Sequence, residues 1–456
     1  MLKRQALIPE RRKVMEIRRL SFADHKRFAA FLPRSFAPLP FHKSRSVQKR
    51  GMLQAFYLGE VWGAYTGRHL CGAFHFSRSL LDGEWRGLLW EQGSRNAWDK
   101  LFLFAVRSLF LPAVVLPEAV AEYLKIAGTQ PAAAKKRRLP LAYRTGLVLG
   151  GGGVHGAYQI GVCQALAELR ISFSLAAGTS VGALNGLLLS RLDANQMEAV
   201  WLAFCLEAGK LAEMPLERTI ASYLSKAPRA GGRFPLYFNA VRLPKFKEET
   251  FVLDELAPPE QRQALLGSAA FAPFMKAVKT PNGRLVDGGY RDNLPVGLAV
   301  AGGARELIVI DVQGSGHTKK SALAVMKKYP HLYLRSPWPL GAMLRLDVSV
   351  IKNNIRLGYL ETMKALGFFY GKWYTFEKKD FFKECAALAQ AFCTAHPQYA
   401  FESVWPRWPR FLEAAAKAAR IAPGKVYTLQ QLTDQLQQAD PKIYDQKSRD
   451  FFGGRR

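Results

Sequence analysis

Residues 145 to 192 alternate short apolar runs with mostly apolar stretches of helical length, with a glycine-bearing turn between each run and the stretch after it. The first run and stretch read "TGLVLGGGGVHGAYQIGVCQALAELR" and the second "ISFSLAAGTSVGALNGLLLSRL". Strands that alternate with helices in this way demand a mostly parallel sheet covered by helices on both faces. The pattern predicts strands over 145–150 and 171–178. It predicts a helix over 156–170 with Ile160, Cys163, Leu166 and Ala167 near one face. The second helix, from Val181, is almost wholly apolar and is expected to be buried on all sides. Farther on, "GRLVDGG" and "ELIVIDVQ" read as additional strands.

The two turns carry the chemistry. Gly150 to Gly153, with Val154, His155 and Gly156, follows a strand and precedes a helix. From Gly151 it matches the dinucleotide fingerprint G-x-G-x-x-G. That site also needs a carboxylate about 20 residues on, to hold the ribose. The corresponding stretch, "ISFSLAAGTS", has none, and no Gly-Lys-Ser/Thr marks a P-loop. What remains is a set of backbone N–H groups at the positive end of a helix, suited to an anion that is bound or that develops during a reaction. The second turn, Gly178-Thr179-Ser180-Val181-Gly182, has the G-x-S-x-G form of a nucleophile elbow in the strand–turn–helix context that form requires. A serine nucleophile needs a base. His317, His331 and His396 follow it, none in a strand-end Gly-His setting. Asp287, at the end of a strand and followed by Gly288 and Gly289, fits better. Alone the triplet is an ordinary turn; about a hundred residues after an elbow it reads as the base.

In order and spacing, "GGGGVHG", "GTSVG" and "DGG" resemble the patatin-like phospholipase family. "GSAAFAPF", "DNLPV" and "DVSVIKNNIRLGYLETMKALG" extend the resemblance over roughly residues 145–370. It implies a three-layer α/β/α fold and lipid acyl hydrolysis by a Ser–Asp dyad, with no cofactor and no metal. Ser180 is then the nucleophile and Asp287 the base. The amides of Gly151, Gly152 and Gly153 form the oxyanion hole, and Gly178, Gly182, Gly156, Gly288 and Gly289 support the turns. An acyltransferase, a thioesterase or a non-catalytic lipid-binding adaptor would carry the same motifs. One departure stands out. The family's glycine loop usually has Arg or Lys where this chain has His155. That places the imidazole either beside Ser180 and Asp287 or in a local hydrogen bond at the helix start.

The remaining sequence sets the surroundings. Three regions are expected: a basic N-terminal α+β region over 1–144, the catalytic domain over 145–370, and a helical C-terminal extension over 371–456. A linker-like "TQPAAAKKRRLP" separates the first two. With 49% hydrophobic residues the chain is globular, not disordered. Five scattered cysteines form no CxxC pair, which argues for a reducing compartment. The N-terminus lacks the apolar core of a secretory signal, so the expected location is cytoplasmic with peripheral membrane contact. Residues 101–117 are read as a buried helix rather than a membrane segment. The balance of 65 basic to 36 acidic residues gives +29 and calls for an anionic partner. Alongside the lipid or phospholipid substrate, an anionic membrane surface is expected. Nucleic acid is disfavoured, because the N-terminal basic residues are not interleaved with base-stacking aromatics. Arg11, Arg12, Lys13, Arg18 and Arg19, then a helix bearing Phe22, Phe28 and Leu32, suit that surface. Packing of the same helix on its own domain's core accounts for the pattern equally well.

Overall fold

A computed structural model describes residues 15–20, 24–34, 52, 56, 61–66, 68–78, 83–90, 98–123, 127–132, 136–208, 216–226 and 234–453. They fall into two compact units, one of residues 1–106 and 111–141, the other of 107–110 and 142–456.

The first unit is built on a mostly antiparallel sheet. Its strands are β1 (Met15–Arg19), β2 (Val61–Thr66), β3 (His69–Arg78), β4 (Gly83–Trp90), β5 (Ala113–Pro117), β6 (Gln130–Ala132) and β7 (Lys136–Pro140), in the order β1-β2-β3-β4-β5-β7-β6. The helix His25–Arg34 turns Phe28 and Phe31, both fully buried, into a core with Leu20, Phe56 and Tyr65. Arg18 pairs with the buried Asp24 at 2.6 Å, and the Tyr65 hydroxyl donates to the same carboxylate at 2.9 Å. Of the two readings of this helix, the structure takes the core-packing one: Phe28 is inside and Arg18 is engaged. Arg11, Arg12, Lys13 and Phe22 lie outside the described residues. The stretch expected as one buried helix over 101–117 is a helix that ends at Arg107, followed by β5. Phe110 takes a φ of +52° and Pro112 offers no amide, so the helix cannot run through.

The second unit has the expected α/β architecture. Its strands are β8 (Thr145–Leu149), β9 (Leu175–Thr179), β10 (Leu236–Leu243), β11 (Lys247–Val252), β12 (Val278–Thr280), β13 (Gly283–Asp287), β14 (Glu306–Ile310) and β15 (His331–Leu334). The order is β12-β13-β10-β9-β8-β14-β15, with β11 also on β10. The run β10-β9-β8-β14-β15 is parallel; β11 and β13 are antiparallel to β10. Strands β8, β9 and β14 are buried at every residue, as strands covered on both faces must be. The second predicted strand is shorter than expected, because 171–174 is a loop.

Helix Val181–Arg191 is buried on nearly all sides. Helix Ala157–Glu168 is too, except that Ala167, expected on the apolar face, is exposed at its last turn. That helix crosses Val348–Ala365 at a contact so close that a Cβ on Gly161 would strike the Ile355 carbonyl, and one on Gly358 the Tyr158 carbonyl. Beyond residue 371 come the helices Phe381–Ala395, Trp408–Ala418, Leu429–Ala439 and Pro441–Phe452, the first, second and fourth joined by an aromatic cluster of Phe392, Trp408, Phe411 and Phe452. The "WPRWP" stretch is a 3-10 turn, Trp405–Arg407, that runs straight into the second of these helices. All five cysteines are buried free thiols.

Candidate active site

Topology brings the two turns together. β8 and β9 are adjacent and parallel, so the glycine loop and the elbow leave the sheet side by side at its carboxyl edge. The strand order reverses at β8, with β9 on one side and β14 on the other. Such a switch point opens a crevice where α/β proteins bind ligands. β10 then places the carboxylate. Its Asn239 pairs with Thr179, while Ala240 to Leu243 continue beyond β9. β13 returns antiparallel along that overhang and ends with Asp287 opposite Ala240. A residue 107 positions away in sequence therefore arrives beside the elbow.

Ser180 donates its Oγ–H to Asp287 Oδ2 at 2.6 Å. Its backbone has φ +55° and ψ −126°, a conformation that costs a residue with a side chain about 1–3 kcal/mol. Close packing holds the strain. A Cβ on Gly178 would strike the Gly182 backbone, and one on Gly182 the Leu149 carbonyl. The Ser180 N–H donates to Oγ of Ser268 at 3.1 Å, a fully buried serine at the end of helix Pro258–Ser268.

Asp287 is 4% exposed. Burial lifts its pKa from the usual 3.8 to about 6. The hydrogen bonds from Ser180 and from the Gly289 N–H (2.7 Å, to Oδ1) pull the other way and lose. A carboxylate with that affinity, in contact with a hydroxyl, can take up its proton near neutral pH.

Around the pair, the carbonyls of the glycine loop are tied back to the scaffold. Gln159 donates to Gly150 O at 2.8 Å, Asn293 Nδ2 to Gly151 O at 3.1 Å, and the His155 N–H to Gly152 O at 3.1 Å. The amides divide. The Gly150 N–H goes to Ile310 O at 3.0 Å and the Gly151 N–H to Asn293 O at 3.1 Å. Among the described residues no protein acceptor meets the N–H of Gly152 or of Gly153, whose φ is +55°. Gly151 lies against the elbow: a Cβ there would come within 3.2 Å of Ser180 Cβ. Gly156 packs on Val181, and Gly288 on Asn239, with no room for a side chain. Gly289 lies beside Asn293 and Asp287. Its carbonyl accepts the His317 N–H, and His317 O accepts that of Asn293, both at 2.7 Å.

His155 is buried with Nδ1 2.9 Å from Val312 O and Nε2 2.9 Å from Gly341 O. Both ring nitrogens face backbone carbonyls far away in sequence, so the imidazole is hydrogen-bonded neither within the helix start nor to Ser180 or Asp287.

Three residues at the site carried no assigned role in the sequence reading. Asn293 pins the glycine loop, and Ser268 holds the elbow amide. Both sit in stretches, "DNLPV" and "GSAAFAPF", already set apart by the family resemblance. Asn239 accepts from Thr179 Oγ1 at 2.8 Å and donates to Glu248 and to Asp292 O. Lys319, bonded to Glu248 and 3.2 Å from Asp292, closes that network. No motif marks Asn239, which lies mid-strand.

Residues 147–300 match the family model for patatin-like phospholipase. A lysophospholipase NTE1 of Mycosarcoma maydis is 30% identical over 190 residues, 39% of this chain and 10% of its own length. Patatin-like phospholipase domain-containing protein 7 of Rattus norvegicus is 28% identical over 226 residues, 44% of this chain and 16% of its own. Among solved structures, VipD from Legionella pneumophila aligns at 12% identity with a TM-score of 0.33, over 70% of this chain and 88% of its own. The chain thus spans well under a fifth of the curated relatives it matches. On the family model and the order of its motifs, residues 147–300 are a patatin-like phospholipase domain.

Proposed function

We propose that this protein hydrolyses lipid acyl esters, of the phospholipid or lysophospholipid type, through a dyad of Ser180 and Asp287. One observation carries the reading: a strained, half-buried serine hydroxyl donates at 2.6 Å to a buried carboxylate whose pKa stands near 6. As Ser180 Oγ attacks the ester carbonyl, its proton passes to Asp287 Oδ2. The carbonyl electrons move to oxygen, and that oxyanion is held by the Gly152 and Gly153 amides. Gly151 leaves the expected set of three donors, because its N–H is spent on Asn293. The tetrahedral species collapses, the C–O bond to the alcohol breaks, and Asp287 returns its proton to the departing oxygen. Water then attacks the acyl-serine with Asp287 again as base. The acid leaves and Ser180 regains its proton. His155 lies outside this path, fixing the loop that presents the amides. The scheme places catalysis in residues 145–370, with the N-terminal region and the C-terminal helices in supporting roles.

The test is hydrolysis of a short soluble ester and of a lysophospholipid by wild type, Ser180→Ala and Asp287→Asn, with fluorophosphonate labelling of Ser180. Turnover and labelling by wild type, both lost in Ser180→Ala, support the reading. A folded wild type that neither turns over ester nor takes the label is the adaptor alternative. Transfer of the acyl group to an added alcohol in preference to water makes it an acyltransferase.

A further inference from the structure

The segment that holds the elbow does not end there. Ser268 binds the Ser180 amide and Ala270 O accepts the Asp287 N–H at 3.0 Å. Four residues later the chain reaches Phe274, which is 68% exposed. Phe271 stacks on Phe274, with centroids 6.0 Å apart, and on Tyr290 at 5.8 Å. Tyr290 also meets Phe246, 43% exposed, at 6.1 Å. The turn is pinned where it stands, since the Tyr290 hydroxyl donates to Ala272 O at 2.9 Å. Two phenylalanines are thus held out in water, one on the β10–β11 hairpin and one on the loop after Ser268. They share a single aromatic base three residues beyond Asp287.

The charge around them has one sign. Lys245 and Lys247 flank Phe246, Lys276 follows Phe274, Arg291 follows Tyr290, and all four are exposed. Residues 271–284 contain no Asp or Glu. The nearest acids on the hairpin are already engaged, Glu248 with Lys319 and Glu249 with Arg242. Exposed aromatic tips ringed by lysine and arginine match an anionic lipid surface. The apolar rings enter the interface, and the cations remain at the headgroups. Among the described residues no helix is long and apolar enough to cross a membrane.

We propose that Phe246, Phe274 and their basic neighbours form the surface by which this domain docks on an anionic bilayer, and that this orients the dyad toward the lipid. The substrate side of the proposal rests on the hydrolase reading above; the docking side does not. The experiment compares the full chain with Phe246→Ser/Phe274→Ser and with Lys245→Glu/Lys247→Glu. Each is sedimented with phosphatidylcholine vesicles, with and without phosphatidylglycerol, at low and high salt. Wild type should prefer the anionic vesicles. Losing two apolar anchors should cut partition at least about tenfold at either salt. Charge reversal should remove the preference for anionic vesicles chiefly at low salt. Both variants should turn over the short soluble ester within about twofold of wild type while losing vesicle hydrolysis. Unchanged partition of the phenylalanine variant overturns the proposal. So does unchanged vesicle binding in a variant that converts a wild-type dimer to monomers, which would make the patch a protein contact. If wild type fails on the soluble ester, the hydrolase reading falls, while sedimentation still decides the docking.

Discussion

Asp287 and Glu361 are two buried carboxylates in the same unit, each accepting a hydroxyl hydrogen bond of 2.6 Å. Burial pushes both upward in pKa. Yet their surroundings differ in every respect that bears on chemistry. Glu361 meets the hydroxyl of Tyr158, a fully buried residue within a helix, and its other oxygen accepts from Ser336 at 3.0 Å. Burial, and then the neighbouring Glu361, holds that phenol well above its usual range. Nearby, Lys364 donates to the carbonyls of Lys372, Trp373 and Tyr374, and Glu413 accepts the amides of the same three residues. Both Glu361 oxygens, and the Lys364 and Glu413 side chains, are thus paired with protein. At Asp287 the partner hydroxyl is partly open to solvent, sits on a strained backbone, and has amides without protein acceptors close by. A buried acid against a hydroxyl is therefore not a site in itself. Access and idle donors distinguish one that can react from one that fastens a core.

The largest contrast should be in turnover. Asp287→Asn should cut kcat on the lipid ester by about a thousandfold or more, the scale of a lost general base, with the variant still folded. Glu361→Gln should leave kcat within about threefold. Comparable losses in the two would dissolve the distinction, and would mean that Glu361 communicates with the dyad.

The reverse holds for stability. Glu361→Ala leaves the Tyr158 and Ser336 hydroxyls without their acceptor and removes a negative charge near Lys364. It should destabilise the fold by about 3 kcal/mol in urea unfolding, with kcat per folded molecule retained. Loss of less than about 1 kcal/mol would show that water or rearrangement replaces the carboxylate, so that this acid fastens little.

The pH profile sharpens the same point. Asp287 is protonated below its pKa of about 6 and cannot then act as base. The kcat/KM on soluble ester should rise with pH through a midpoint near 6 and level off above it. Stability runs the other way. The folded pKa lies above the unfolded value near 3.8. Its favourable contribution is complete below pH 3.8 and is lost as pH rises through about 6, a swing of about 3 kcal/mol. Asp287→Asn should therefore gain on wild type between pH 4 and pH 7.5. A wild type and an Asn variant with parallel stability curves would place this carboxyl in contact with water.

How much of this was legible in the sequence follows from where each interaction runs. Strands β8, β9 and β14 are short apolar runs bounded by turn residues, and their local pattern is sufficient. The pair β10–β11 has no such apolar pattern, because "LYFNAVRL" and "KEETFV" mix polar residues into both strands, with Glu248 and Glu249 bonded to Lys319 and Arg242. Ser180 and the glycines are marked by motifs whose constraint is local: a tight turn, a close backbone approach. Asp287 needed the additional fact of its place after an elbow. Ser268, Asn239 and Asn293 act across 88, 60 and 142 positions of sequence, and no short pattern records such partners. The commitment of the Gly151 amide to Asn293 is hidden for the same reason. The N-terminal helix shows the opposite limit. Its amphipathic pattern suited a membrane or a core alike, and only the position of Phe28 among Phe31 and Phe56 decides between them.

The smallest expected effect isolates the strain that Ser180 has and Tyr158 lacks. An elbow at φ +55° persists only if neighbours hold it, and Ser268 is a side chain that meets the Ser180 amide. Ser268→Ala removes that acceptor from a fully buried position without adding bulk, leaving the N–H unpaired. The cost should be about 1–2 kcal/mol of stability, less if the amide turns to solvent. Because Ser268 does not bond to Asp287, the pH midpoint near 6 should stay in place. A relaxed elbow should instead lower kcat and the rate of fluorophosphonate labelling together, each about tenfold, with KM little changed. If stability falls while both rates hold, Ser268 merely satisfies a buried amide, and the strained geometry is maintained by the close packing of Gly178 and Gly182. If the pH midpoint moves, Ser268 shapes the surroundings of the Asp287 carboxylate as well as holding the elbow.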